Sequence, residues 1–131
     1  MPLRSPMTLA ALALGRLPAP ADAWAAGPGF PGTVAEIVTF RLLPGADEAR
    51  FLADARATDR TVALQPGFLR RSLSRDGTGL WTDYIEWADL ESAKAAAEAV
   101  MHLPEFAPFA AAIDPEGLGM RHAPVLAQIA R

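Results

Sequence analysis

From Val34 onward, apolar and polar positions fall into two alternating kinds of pattern. "VAEIVTFRLL" is rich in β-branched and aromatic residues and reads as a strand, which Pro44 and Gly45 end. Asp47 is placed to cap a helix from Glu48, and Phe51, Leu52, Ala55, Thr58 and Val62 then fall on one face at helical spacing. "QPG" at 65–67 stops that helix. "FLRRSLSR" and "LWTDYIEW" flank the short loop "DGTG", the layout of a β-hairpin. Asp89 then caps a second helix, whose apolar stripe is Leu90, Ala93, Ala97, Val100 and Met101. Pro104 suits the first residue of a new helical turn, so "PEFAPFAAAI" reads as a short second piece. "LGMRHAPVLAQI" supplies the last strand. The order is β-α-β-β-α-β, which predicts an α+β, ferredoxin-like fold. Its sheet has four antiparallel strands, with both helices on one face.

That arrangement leaves one face of the sheet uncovered, yet the strands do not look half-wet. Glu36, Val38, Phe40 and Leu42 share one face of the first strand, and Ala35, Ile37, Thr39 and Arg41 share the other. In the third strand Trp81, Asp83, Ile85 and Trp87 oppose Leu80, Thr82, Tyr84 and Glu86. A strand wetted on one side alternates apolar and polar residues, and neither strand does so. Two-sided burial predicts a second copy on the free face, related by two-fold symmetry, and so a dimeric α+β barrel with its helices outside. An acid within such a strand needs a partner. For Asp83 and Glu86 the candidates are Arg41, Arg70, Arg71 and Arg121.

The chain is 131 residues long, 51% hydrophobic and 21% charged, with a net charge of −3. That is enough apolar material for one core and gives no basic surface for nucleic acid. It contains no cysteine, which excludes disulfides and thiolate metal sites, and no asparagine. Residues 1–33 stand apart from the folded domain, 34–131. Arg4, an apolar run from Met7 to Leu14 and an Ala-x-Ala site at Ala21 to Ala23 have the layout of a secretory signal. The rival reading is translation starting near Val34. The expected location is the cytoplasm unless that segment is an export signal. The apolar run is too short to span a bilayer, so no membrane partner is expected. "GPGFPG" at 27–32 matches G-x-G-x-x-G, but holds two prolines and precedes a strand; it reads as a linker.

The frame "EIVTFRLLPG…FL…QPGF…LSRD…LWTDYIEWADLESAKAA…EFAPF" resembles the antibiotic-biosynthesis-monooxygenase-like branch of the dimeric α+β barrel superfamily, from about Val34 to about Val125. The "PGF" opening the second strand and Trp87 closing the third carry the resemblance, and both mark the fold more than an activity. The resemblance implies a homodimer, a small organic ligand and a cofactor-free monooxygenase acting on an aromatic or polyketide-like molecule. Two alternatives sit on the same scaffold: a non-catalytic ligand-binding or stress-associated barrel, and an isomerase or decarboxylase. Heme-degrading relatives use an Asn on the first strand and a Trp and a His on the second helix. Here Ile37 and Ala96 stand near the first two positions and the chain has no Asn, so that activity is not expected.

A cofactor-free oxygenase needs an apolar pocket and a base that favours the substrate anion. The candidate catalytic residues are His102, as base, with Tyr84 and Asp83. Trp81, Thr39, Arg41, Glu86 and His122 are the candidate pocket residues. Each has a plainer reading. His102 is equally a helix C-terminal cap, Trp81 and Trp87 are core, Tyr84 is an interface residue, and Asp83 and Glu86 are structural ion pairs. His102 and His122 lack metal-ligand spacing, so no metal and no cofactor are expected.

Overall fold

The computed structural model describes residues 32–131, so the readings of the N-terminal segment lie almost wholly outside the described residues. The elements run β1 (Val34–Phe40), α1 (Glu48–Ala57), α2 (Asp59–Ala63), β2 (Phe68–Arg75), β3 (Trp81–Trp87), α3 (Leu90–Val100), α4 (Phe106–Ala111) and β4 (Gly119–Pro124). The strands form one antiparallel sheet in the order β2-β3-β1-β4. Each helical crossover therefore skips a strand, and the fold is the α+β, ferredoxin-like one that the pattern predicts.

Local chemistry fixes the ends. The Asp47 carboxylate accepts from the amides of Ala49 and Arg50 at the start of α1, and Asp89 accepts from the Ser92 amide at 2.7 Å at the start of α3. In the hairpin loop the Asp76 carboxylate accepts from the Thr78 and Leu80 amides and the Thr78 hydroxyl. Those bonds to the charged form, the Thr78 hydroxyl foremost, hold the Asp76 carboxyl below its ordinary value.

Two elements differ from the sequence reading. The predicted first helix is broken at Thr58, whose hydroxyl donates back to the Ala55 carbonyl and competes with the helical ladder. The last strand ends at Pro124, which has no amide to donate, rather than running to Ile129.

Gly67 marks where β2 meets the start of α3. Its φ is +86°, and a Cβ there would lie 2.3 Å from Ser92 Oγ. Gly67→Ala is expected to cost about 1–3 kcal/mol, from backbone strain and that clash together. Urea denaturation of the variant checks this. Adding Ser92→Gly should recover only the clash, leaving the strain.

The helices cover the sheet face carrying Val34, Glu36, Val38 and Phe40. The core there is in two parts. Phe40, Phe51, Trp81, Phe109 and Ile113 form one, with the Phe40 and Trp81 rings stacked at 6.4 Å. Val62, Ile85, Trp87, Ala93 and Ala96 form the other. On the opposite face Ile37, Thr39, Thr82 and Tyr84 are half-buried at the centre, while Arg70, Ser72, Ser74 and Arg121 are exposed. The C-terminal tail reaches back over this face, and Gln128 donates to Glu86 Oε1 at 2.8 Å.

Candidate functional site

Between the two halves of the core lies a pocket of about 130 Å³. Its floor is the sheet: Glu36 and Val38 of β1, Asp83, Ile85 and Trp87 of β3, Arg71 of β2 and Met120 of β4. Its roof is Ala96, Ala97 and Val100 of α3 and Phe106, Phe109 and Ala110 of α4. The run of alanines is what leaves the space, because a larger side chain at any of those positions would join the two core clusters. The lining is almost wholly apolar, and an apolar void of this size suits one aromatic ring.

Four polar groups interrupt that lining. Arg71 and Asp83 form a two-pronged ion pair, Nε to Oδ1 at 3.0 Å and Nη2 to Oδ2 at 2.8 Å, with both side chains over 90% buried. Arg71 Nη1 also donates to Thr58 Oγ1 at 2.7 Å and Asp59 Oδ1 at 3.1 Å, and the guanidinium lies over the Phe109 ring at 5.5 Å. Burial opposes the Arg71 charge, but Asp83 and then Asp59 outweigh it and raise the guanidinium above its ordinary value. This pair is locked in place by the fold.

The other two polar groups are not locked. Glu36 is 5% exposed, and its Oε1 has no hydrogen-bond partner among the described residues. Trp87 is 2% exposed, and its indole N–H likewise has none. A buried polar atom without a partner loses its hydration for nothing, so each such group calls for an explanation. Directly across from Glu36 in the β1–β4 register is His122, whose Nε2 lies 3.5 Å from Glu36 Oε1. Both His122 ring nitrogens are also buried and without hydrogen-bond partners among the described residues.

Of the residues singled out from sequence, the structure places Asp83 on the pocket wall and His122 behind Glu36. Trp81 packs in the aromatic core with Phe40 and Phe51 and does not line the pocket. Thr39, Tyr84 and Glu86 are on the other face of the sheet, because β-strand alternation separates them from Val38, Asp83 and Ile85. Glu86 pairs there with Arg70 at 3.4 Å. Burial, with the Glu86 carboxylate adding to it, pushes the Tyr84 phenol up, so this hydroxyl stays protonated near neutral pH. Arg41 is exposed and donates to the Thr78 carbonyl at 2.6 Å, bracing the hairpin loop. His102 is exposed on the turn after α3 and is not part of the pocket lining. Two of the four arginines offered as partners therefore meet the acids, Arg71 with Asp83 and Arg70 with Glu86.

Glu36 is the residue that sequence reasoning passed over. The signal was present: an acid between Val34 and Val38 on a strand buried on both faces is as anomalous as Asp83. Among the described residues no three His, Cys, Asp or Glu side chains are grouped to hold a metal ion, and no helix is long and apolar enough to cross a membrane.

No protein-family model and no curated protein matches the chain. Solved structures do. A single-substitution mutant of SnoaB, a cofactor-independent oxygenase from Streptomyces nogalater, superposes with a TM-score of 0.63 at 19% identity, over 76% of this chain and 99% of SnoaB. A candidate antibiotic biosynthesis monooxygenase from Nitrosomonas europaea gives 0.62 at 19% identity, over 76% of this chain and 96% of its own. One from Caulobacter crescentus gives 0.61 at 18%, over 75% and 93%. The fold is thus that of antibiotic-biosynthesis-monooxygenase-like proteins, in agreement with the resemblance seen in the sequence.

Proposed function

We propose that this chain is a cofactor-independent monooxygenase acting on a small hydroxylated aromatic molecule, and that it works as a homodimer. The observation that carries the reading is the pocket. It is apolar, sized for one ring, and its lining residues include Glu36 and Trp87, whose carboxylate Oε1 and indole N–H have no hydrogen-bond partner among the described residues. A ring bearing a hydroxyl and a carbonyl or second oxygen answers both, the hydroxyl donating to Glu36 and the other oxygen accepting from Trp87. A hydroxyaromatic anion is electron-rich enough to react with dioxygen directly. The protein's part is to exclude water, hold the ring and favour the anion. The name of SnoaB as a cofactor-independent oxygenase on the same fold supports this choice of chemistry.

In this reading the acid–base work falls to groups that reach the pocket. Asp83 acts through Arg71, keeping it in place beside the ring. Tyr84, Thr39 and Glu86 act at the sheet's free face, where a second copy would cover Ile37 and Tyr84.

Dioxygen uptake by the purified full chain, treated with a chelator and offered a panel of single-ring phenols and hydroquinones, tests the proposal. Uptake with at least one of them, from a dimer in analytical ultracentrifugation, is the expected result. Binding without uptake would favour a ligand-binding barrel, and turnover without dioxygen an isomerase or decarboxylase. No binding to any of the panel would defeat all three aromatic readings.

A further inference from the structure

His122 borders a second space. Between α3 and β4 a surface groove of about 270 Å³ is lined by Ala93, Lys94, Ala97, Glu98, Met101 and His122. Ala97 and Met101 also line the inner pocket, so the groove and the pocket share a wall. Glu36 belongs to the pocket and His122 to the groove, and Glu36 Oε1 lies 3.5 Å from His122 Nε2. Both side chains are more than nine-tenths buried, and Glu36 Oε1 and both ring nitrogens have no hydrogen-bond partner among the described residues.

We infer that Glu36 and His122 form a proton relay that takes the hydroxyl proton of a phenol or enol bound in the pocket and holds it at the groove side. The inference rests on the aromatic-ligand reading above and assigns its base. An anion cannot form in an apolar pocket unless the proton is received by a group that can also keep it. Glu36 alone is poorly suited, because the proton would stay beside the anion. With His122 behind it, the substrate O–H bond breaks and its electron pair stays on oxygen. The proton goes to a Glu36 carboxylate oxygen and on to His122 Nε2. The site then holds a ring anion, a Glu36 carboxylate and a His122 imidazolium, and its net charge is unchanged. The present separation is too long for a good hydrogen bond and closes when a proton is shared, as base-to-substrate contacts often do on binding. Lys94 and Glu98 of α3 line the groove with His122, and Arg71 and Asp83 line the pocket with Glu36. Arg71 and Asp83 neutralise each other, so the relay is the free acid–base group of the pocket.

The probe is 4-nitrophenol, a single-ring phenol whose anion absorbs visible light, added to the full chain below the pH at which it ionises in water. Wild-type protein should bind it and show anion absorbance. Calorimetry in two buffers of different ionisation enthalpy should show no matching proton release, because the relay keeps the proton. Glu36→Gln and His122→Gln should each bind the phenol while the bound anion fraction falls at least about tenfold. A Glu36–His122 contact that only ties β1 to β4 would lower stability in these variants and leave the anion fraction unchanged. Proton release equal to the anion formed would overturn the relay using wild-type protein alone, even if neither variant folds. Binding as the neutral phenol would overturn the relay and spare the pocket. No binding by wild-type protein would instead sink the aromatic-ligand reading, and the relay with it.

Discussion

Arg71→Ala should destabilise the chain by about 3–5 kcal/mol in urea denaturation, much of what holds a domain of this size together. The cost does not come from losing an attraction between Arg71 and Asp83. Two charges over 90% buried have each lost most of their hydration, and their mutual attraction does little more than offset that loss. Removing one partner leaves the buried Asp83 carboxylate without the two Arg71 donors it accepts from, and takes the Arg71 donor from Thr58 Oγ1, which keeps only its own bond to the Ala55 carbonyl. The double variant Arg71→Met with Asp83→Leu should therefore be far less damaged than Arg71→Ala alone, within about 1–2 kcal/mol of wild type. The pH profile gives a second check. The Arg71 value is raised in the fold, so its contribution is complete below the ordinary arginine range and is lost only as pH rises through the raised value. The cost of Arg71→Ala should thus show no dependence traceable to Arg71 from mildly acidic to mildly alkaline pH. A cost under about 1 kcal/mol would mean that water reaches the pair, as at an exposed salt bridge.

The same pair shows where reading the sequence succeeds. Period-two alternation was enough to put Asp83 on the face of Trp81 and Ile85 and Glu86 on the face of Tyr84, and burial then required arginines. It did not choose among four arginines, since that choice depends on the β2–β3 register and on the bulge between Phe68 and Arg70. The break at Thr58 was hidden for a related reason. A threonine suits a helix face by period, and its bond back to Ala55 is visible only in three dimensions. The site was harder still. His102 is an imidazole at a helix break, but burial decides which histidine sits beside the pocket's acid, and β4 buries His122 against Glu36 while the turn exposes His102. Glu36 is seen to sit opposite a histidine only once the register is known. The pocket itself is a space between side chains. Alanines at 96, 97 and 110 read equally well as good helix formers or as the walls of a void.

That void is the subject of the second large effect. Val100 ends α3, is 8% exposed and borders the pocket from the roof. Val100→Phe adds roughly the one ring that the pocket of about 130 Å³ accommodates. Binding of single-ring phenols should fall by about a hundredfold, or ~2.7 kcal/mol, and turnover with it. Stability should move far less. Filling a void gains dispersion contacts and removes a dry apolar surface, and these gains oppose the strain of a larger side chain, leaving about 1 kcal/mol either way. Ala110→Leu fills the same space from α4 and should give the same separation between binding and stability. Agreement between two walls matters, because one badly fitting side chain can disturb a site it does not occupy. Leu69→Ala, at a half-exposed position on β2 outside the lining, should leave binding unchanged. Thermal melts with ligand titrations on all three variants read both quantities. If the two filled variants bind as tightly as wild type while folding normally, the ligand does not sit between the sheet and the helices, and the free face of the sheet around Tyr84 becomes the place to look.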